Sequence, residues 1–239
     1  MNVNKLSPDL LKTRQHFEIL DGLRGIAALT VVVFHFMEIV YTDYSKNFVG
    51  HGFLAVDFFF CLSGFVIGYA YDNRIGKMGV MEFFKSRLIR LHPFFYSFLA
   101  GLLVFRFNWI IKNRLGFAGL SVLLLLALVM PYFQWNWLAE LLVVLCYFPL
   151  LIALGAGARL TAGFKKLCVF SGKISYPLYM THYAAMWMFG NYYASHKPGT
   201  MQLAVIITGG TILLAGFSYL VMIAYDIPLR KYLTAWRSK

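Results

Sequence analysis

Seven apolar runs occupy most of this chain, and they restrict its fold more than any other feature. They cover residues 25–41, 53–71, 94–111, 117–134, 137–155, 174–192 and 203–225. A helix crossing the ~30 Å hydrocarbon core needs about 20 apolar residues, and it satisfies its own backbone hydrogen bonds there. The 239 residues are 60% hydrophobic and 13% charged. A soluble domain has about 45–50% apolar and about 25% charged residues. The expected class is therefore all-α, a polytopic membrane helix bundle. No soluble domain is left over. Residues 1–239 read as a single domain with a polar lead, 1–23, and a basic tail, 226–239.

The net charge of +12 does not point to nucleic acid, because the basic residues sit in short loops between apolar runs. This is the positive-inside pattern. Residues 72–93 carry Arg74, Lys77, Lys85, Arg87 and Arg90 against Asp72 and Glu82. Residues 156–173 carry Arg159, Lys165, Lys166 and Lys173 with no acid, and the tail adds Arg230, Lys231, Arg237 and Lys239. These loops, the tail and the N-terminus are expected in the cytoplasm. An even number of spans must then separate the two basic loops, yet three runs lie there. Run 94–111 is the weakest, with Arg106, Lys112 and Arg114 crowding its end. It reads as a partial, tilted or interfacial element. That leaves six full spans and both termini cytoplasmic; seven spans would strand one basic segment outside. The first run lacks a small-residue cleavage site and is expected to stay as an anchor. A multi-pass protein of the cell (inner) membrane follows, with the lipid bilayer as a partner. Cys61, Cys146 and Cys168 have no CxxC spacing, so neither a disulfide framework nor a metal site is expected.

The first run carries the polar surprise: "LDGLRGIAALTVVVFHFMEIV" contains Arg24, His35 and Glu38. Ionisable groups in hydrocarbon are costly and usually face protein or a water-filled cavity. Eleven residues at about 100° each make three turns plus roughly 20°, so Arg24 and His35 share one face about 16 Å apart. That face suits a ligand with an anionic head at the cytoplasmic surface and a reacting end deeper in. The plainer alternatives are an Arg24 that snorkels to lipid phosphates and a His35 that is simply packed. Glu38 reads as a solvated group near the outer end.

Three further places hold polar groups. Asp57 falls in the outer half of the second run, at about the depth of His35. It either orients that imidazole, as a triad carboxylate does, or caps a helix N-terminus. Arg87 and Arg90 in "FFKSRLIRLHPFFY" are three residues apart and share a helix face. They serve either topology and headgroups or phosphates, which suit arginine forks. His182 lies about 12 Å into the sixth run, near the depth of His35, with Pro177 expected to loosen the helix.

Together, "LDGLRGIAALTVVVFHF", "FLAVDFFFCLSGFVI", "FFKSRLIRLHP" and "SGKISYPLYMTHY" resemble the acyltransferase family 3 membrane proteins, which are O-acyltransferases of extracytoplasmic acceptors. The family's Arg and His, ten residues between them, fall on Arg24 and His35, and its basic-loop motif falls on Arg87 and Arg90. The resemblance implies an acyl-CoA donor, commonly acetyl-CoA, bound from the cytoplasm, and a catalytic intramembrane histidine. "YDIPLRKYL", where Asp226 is expected to pair with Arg230 at the interface, resembles the closing segment, with Asp226 where Glu is usual. The chain departs in its shortened middle: the Trp-Ser-Leu plus Glu motif is missing and "WNWLAE", ending at Glu140, stands nearest to it.

The expectation is a membrane-embedded O-acyltransferase passing an acyl group to a hydroxyl of a cell-surface or exported carbohydrate. His35, Asp57 and His182 are its candidate catalytic residues. Arg24, Arg87 and Arg90 are its candidate donor-binding residues. The alternative is a degenerate membrane subunit or a small-anion carrier using the same polar face.

Overall fold

The computed structural model describes residues 16–75 and 94–237. Among them no strand forms, and one isolated bridge joins Asn113 to Ala158. Helix α1 is Glu18–Val40, α2 is Leu54–Ile75, α3 is Phe95–Arg106 and α4 is Gly116–Leu128. Helix α5 is Asn136–Gly157, α6 is Ala162–His196 and α7 is Thr200–Trp236. A π-helical turn interrupts α5 at Val143–Tyr147 and α7 at Met222–Asp226.

Helix α1 is the centre of the packing. Glu18 and Asp21 in its first turn complement the positive end of the helix dipole. Leu20, Leu23, Ala27 and Val31 join one core with Phe58 and Phe65 of α2, Leu124 of α4 and Ile152 of α5. Ala28, Val32 and Phe36 join a second core with Leu178 and Phe189 of α6 and with Leu214 of α7. Burial of each large apolar side chain contributes about 1.5–3 kcal/mol, so a helix covered on both sides is the best anchored one. Helix α7 is the opposite case. Its Met201 and Leu213 are 78% and 75% exposed, as expected of a lipid-facing helix.

Helices α1 and α6 run side by side in the same direction. Gly25 meets Ser171, His35 meets His182, and Phe36 meets Phe189. The close approach needs glycine: a Cβ on Gly25 would overlap the Ser171 side chain. One end of the molecule therefore gathers Glu18, Arg24, Lys165 and Lys173, and Glu18 pairs with Lys165 at 2.9 Å. We call this the basic end. The far end is closed by residues 41–53 folded against the α4–α5 connection. There the fully buried His51 ring lies 2.9 Å from the Met130 carbonyl, 3.0 Å from Asn136 and 3.5 Å from Glu140.

Among the described residues, three helices are long and apolar enough to cross a membrane: Glu18–Val40, Asn136–Gly157 and Thr200–Trp236. The apolar part of α2, Leu54–Tyr69, and helices α3 and α4 are shorter. Helix α3, read as a partial element, has 12 residues, and α4, read as a full span at 117–134, has only 13. Two boundaries differ from the sequence reading. Helix α6 starts at Ala162, not near residue 174: no proline lies between Ala162 and Gly172, and the basic stretch simply lies on the helix. Residues 226–236, set apart in the sequence as a basic tail, are the last turns of α7.

Candidate active site

Two polar centres lie along the α1–α6 seam. At the basic end, Arg24 Nη2 donates to the Gly172 carbonyl at 2.7 Å and sits 3.2 Å from Asp21. Its Nε is buried with no partner among the described residues. Three turns along, His35 and His182 stack with ring centroids 5.2 Å apart and planes at 21°. The α1 face predicted from residue spacing is therefore real, and α6 supplies the second histidine at the same level. His182 Nδ1 donates to the Tyr179 carbonyl. Its Nε2 is thereby left as an acceptor.

A cavity of about 900 Å³ opens at the first centre, and neither histidine lines it. Arg24, Lys173 and Arg230 carry its positive charge, and Ser63 and Tyr176 add hydroxyls to the wall. Tyr179 lines it too, and its ring contacts His182 with centroids 5.2 Å apart. The π-helical turn of α7 forms another part of the wall through Met222 and Asp226. Such turns recur at functional sites because one extra residue re-aims the side chains that follow. Here the next turn carries Arg230, which pairs with Asp226 at 2.8 Å and lies over the Tyr176 ring at 5.9 Å. The Asp226–Arg230 pair was legible in the sequence.

Of the two readings of Asp57, its place in the first turn of α2 fits the helix N-terminus one. Its carboxylate accepts from the Ser97 hydroxyl of α3 and does not orient His35. Helices α2 and α3 run parallel with their backbones touching, and this register brings Ser97 to Asp57. The carboxylate on His35 is Glu38, whose Oε2 lies 2.8 Å from Nδ1. Glu38 Oε1 accepts from the Tyr44 hydroxyl at 2.7 Å, so Glu38 is not merely solvated. The bond to Glu38, with some burial, raises the Tyr44 pKa above its ordinary value and keeps the hydroxyl protonated. Arg87 and Arg90 lie outside the described residues. Lys173 was read in the sequence only as a topology signal, and Arg230 only as that and as the partner of Asp226. The usable signal for both was proximity: Lys173 and Tyr176 are three apart on α6, and Asp226 and Arg230 four apart on α7.

Comparison with known proteins bears on the first part of this arrangement. Residues 17–110 match the acyltransferase domain family. The matched stretch holds Arg24, His35, Glu38, Asp57 and Ser97, while His182, Lys173 and Arg230 fall outside it. Protein 2 in the picA locus of Rhizobium radiobacter is 39% identical over 88 residues, covering 36% of this chain and 44% of that protein. The O-acetyltransferase OatA of Staphylococcus aureus strain COL is 35% identical over 77 residues, covering 31% of this chain and 11% of OatA. The putative peptidoglycan O-acetyltransferase YrhL of Bacillus subtilis is 37% identical over 91 residues, covering 36% of this chain and 13% of YrhL. The chain thus spans less than half the length of these curated relatives. No solved structure matches.

Proposed function

We propose that the chain is a membrane O-acyltransferase that takes an acyl group, most simply acetyl, from acyl-CoA and passes it to a hydroxyl of a cell-surface or exported carbohydrate. One observation carries the reading: a cavity lined by three cationic side chains is also lined by Tyr179, whose ring touches His182 of the stacked histidine pair. Phosphates of the donor fit Arg24, Lys173 and Arg230, since guanidinium and ammonium groups form charge-assisted hydrogen bonds to phosphate oxygens. The volume is in the range of small-molecule sites, about 300–1,000 Å³. Arg87 and Arg90 would extend the phosphate contacts. Six spans with both termini in the cytoplasm would set the mouth on the side where acyl-CoA is made.

The reaction then needs one base. His35 Nδ1–H points to Glu38, which leaves Nε2 with a lone pair. Nε2 takes the proton of the acceptor hydroxyl as its oxygen attacks the thioester carbonyl. The C–S bond breaks, and the thiolate of CoA recovers the proton from the imidazolium. This is general-base catalysis, typically worth 10²–10⁴-fold. His182, stacked on His35, is the alternative base.

Binding of acetyl-CoA to the purified chain in detergent tests the reading. Lys173→Ala and Arg230→Ala are each expected to weaken binding about 10–100-fold, the loss of one charge-assisted contact. An unchanged affinity in both variants overturns the donor site. Donor binding without any acyl transfer would leave a carrier or a degenerate subunit as the better reading.

A further inference from the structure

We propose that Glu38 is the positioning carboxylate of His35 and that Tyr44, from the segment after α1, fixes it. This rests on the reading of His35 as the base. Both oxygens of Glu38 are engaged: Oε2 with His35 Nδ1 at 2.8 Å and Oε1 with the Tyr44 hydroxyl at 2.7 Å. A carboxylate that only sought water would not be held at both ends. Tyr44 is fixed in its turn. It opens a single 3₁₀ turn, Tyr44–Lys46, which Asp43 caps by accepting from the Ser45 backbone N–H at 3.1 Å and its hydroxyl at 2.7 Å. The Phe34 ring packs against both ends of the chain, with centroids 5.8 Å from Tyr44 and 5.2 Å from His35.

The result is a relay of fixed positions running Asp43, Tyr44, Glu38, His35. Its chemical effect is on the tautomer. A neutral imidazole carries its proton on either nitrogen, and the hydrogen bond at one nitrogen decides which. Glu38 is an acceptor only, so it holds the proton on Nδ1 and leaves Nε2 free to receive one. The same logic gives the carboxylate of a hydrolase triad its role. Asp57, the other carboxylate at this depth, is taken by Ser97. The half-exposed His35 side chain, 30% accessible, would populate both tautomers if Glu38 were removed.

The test uses the full chain reconstituted in detergent with ¹⁵N-labelled histidine. Ring-nitrogen NMR signals separate the two tautomers, and His35→Gln assigns the His35 signals. The expected wild-type state is a single Nδ1–H tautomer at His35. Glu38→Ala is expected to give a mixture, and Tyr44→Phe, which keeps the ring and loses one bond, a smaller shift in the same direction. Acyl transfer from acetyl-CoA to a small hydroxyl acceptor is measured alongside. Glu38→Ala is expected to lower kcat roughly 10²-fold with the KM for acetyl-CoA unchanged, and Glu38→Gln to recover part of it. An unchanged tautomer in Glu38→Ala, or an unchanged kcat, overturns the assignment while leaving the transferase reading intact. A wild-type chain with no transfer overturns the transferase reading instead, and the tautomer result still decides the role of Glu38.

Discussion

The two stacked histidines differ in what holds them. His35 is tied to a carboxylate and His182 to the carbonyl of Tyr179 on its own helix. A carboxylate stabilises an imidazolium far better than a neutral carbonyl does, because the bond becomes charge-assisted when the ring gains its proton. His35 is therefore the expected base and His182 its packing partner. His35→Ala should lower transfer about 10²–10⁴-fold with donor affinity nearly intact, and His182→Ala should cost much less. Steady-state kinetics on the two variants decides between them, and the reverse order would exchange their roles. The part of this site that could be read from sequence is the part set by local geometry. Arg24 and His35 share a face because helical periodicity needs only spacing. The partner of Asp57 could not be read, since the α2–α3 register joins residues 40 apart.

The helices show where small residues control geometry. Gly64 and Gly68 of α2 form a small-residue face, and α3 packs on it. A Cβ on Gly64 would overlap the Phe98 carbonyl, and one on Gly101 the Cys61 carbonyl. Both obstacles are backbone, which cannot rotate aside. Gly101→Ala is expected to push α2 and α3 apart and to destabilise the protein by about 1–3 kcal/mol, the usual range for overpacking. Thermal unfolding in detergent reads this directly; an unchanged Tm would show that the helices have room to spare. The same shift would loosen the Ser97–Asp57 contact, which lies on the same seam. Hydropathy marked where helices would be but not where they end. Lys165, Lys166 and Lys173 were read as a loop because charge was weighed against burial. Helix α6 instead leaves Lys165 62% exposed beside Glu18, so a basic stretch can remain helical.

At the scale of the whole molecule, the arrangement has one basic end and one end closed by residues 41–53. Lys165 pairs with Glu18 at the first, and Arg24 shares a cavity with Arg230 there, so the start of α1 and the end of α7 lie together. From the loop charges, that end is the one expected in the cytoplasm. In a variant lacking the three native cysteines, Lys165→Cys is expected to react with a membrane-impermeant thiol reagent only after permeabilisation, and Ser45→Cys in intact cells. The opposite pattern would invert the molecule and set the cavity mouth on the wrong face for acyl-CoA.

The bond between Arg24 and the Gly172 carbonyl spans 148 residues, and this has a consequence for how the protein is made. A chain emerges from the ribosome at about 5–20 residues per second. The 148 residues therefore take on the order of 10–30 s to appear. Throughout that interval α1 already carries an arginine and a histidine while the helix that receives them does not yet exist. A polar helix with no partner is costly in lipid, so the nascent α1 has reason to stay beside the insertion machinery until α6 arrives. The residues proposed for chemistry in the finished protein would then set the pace of its assembly.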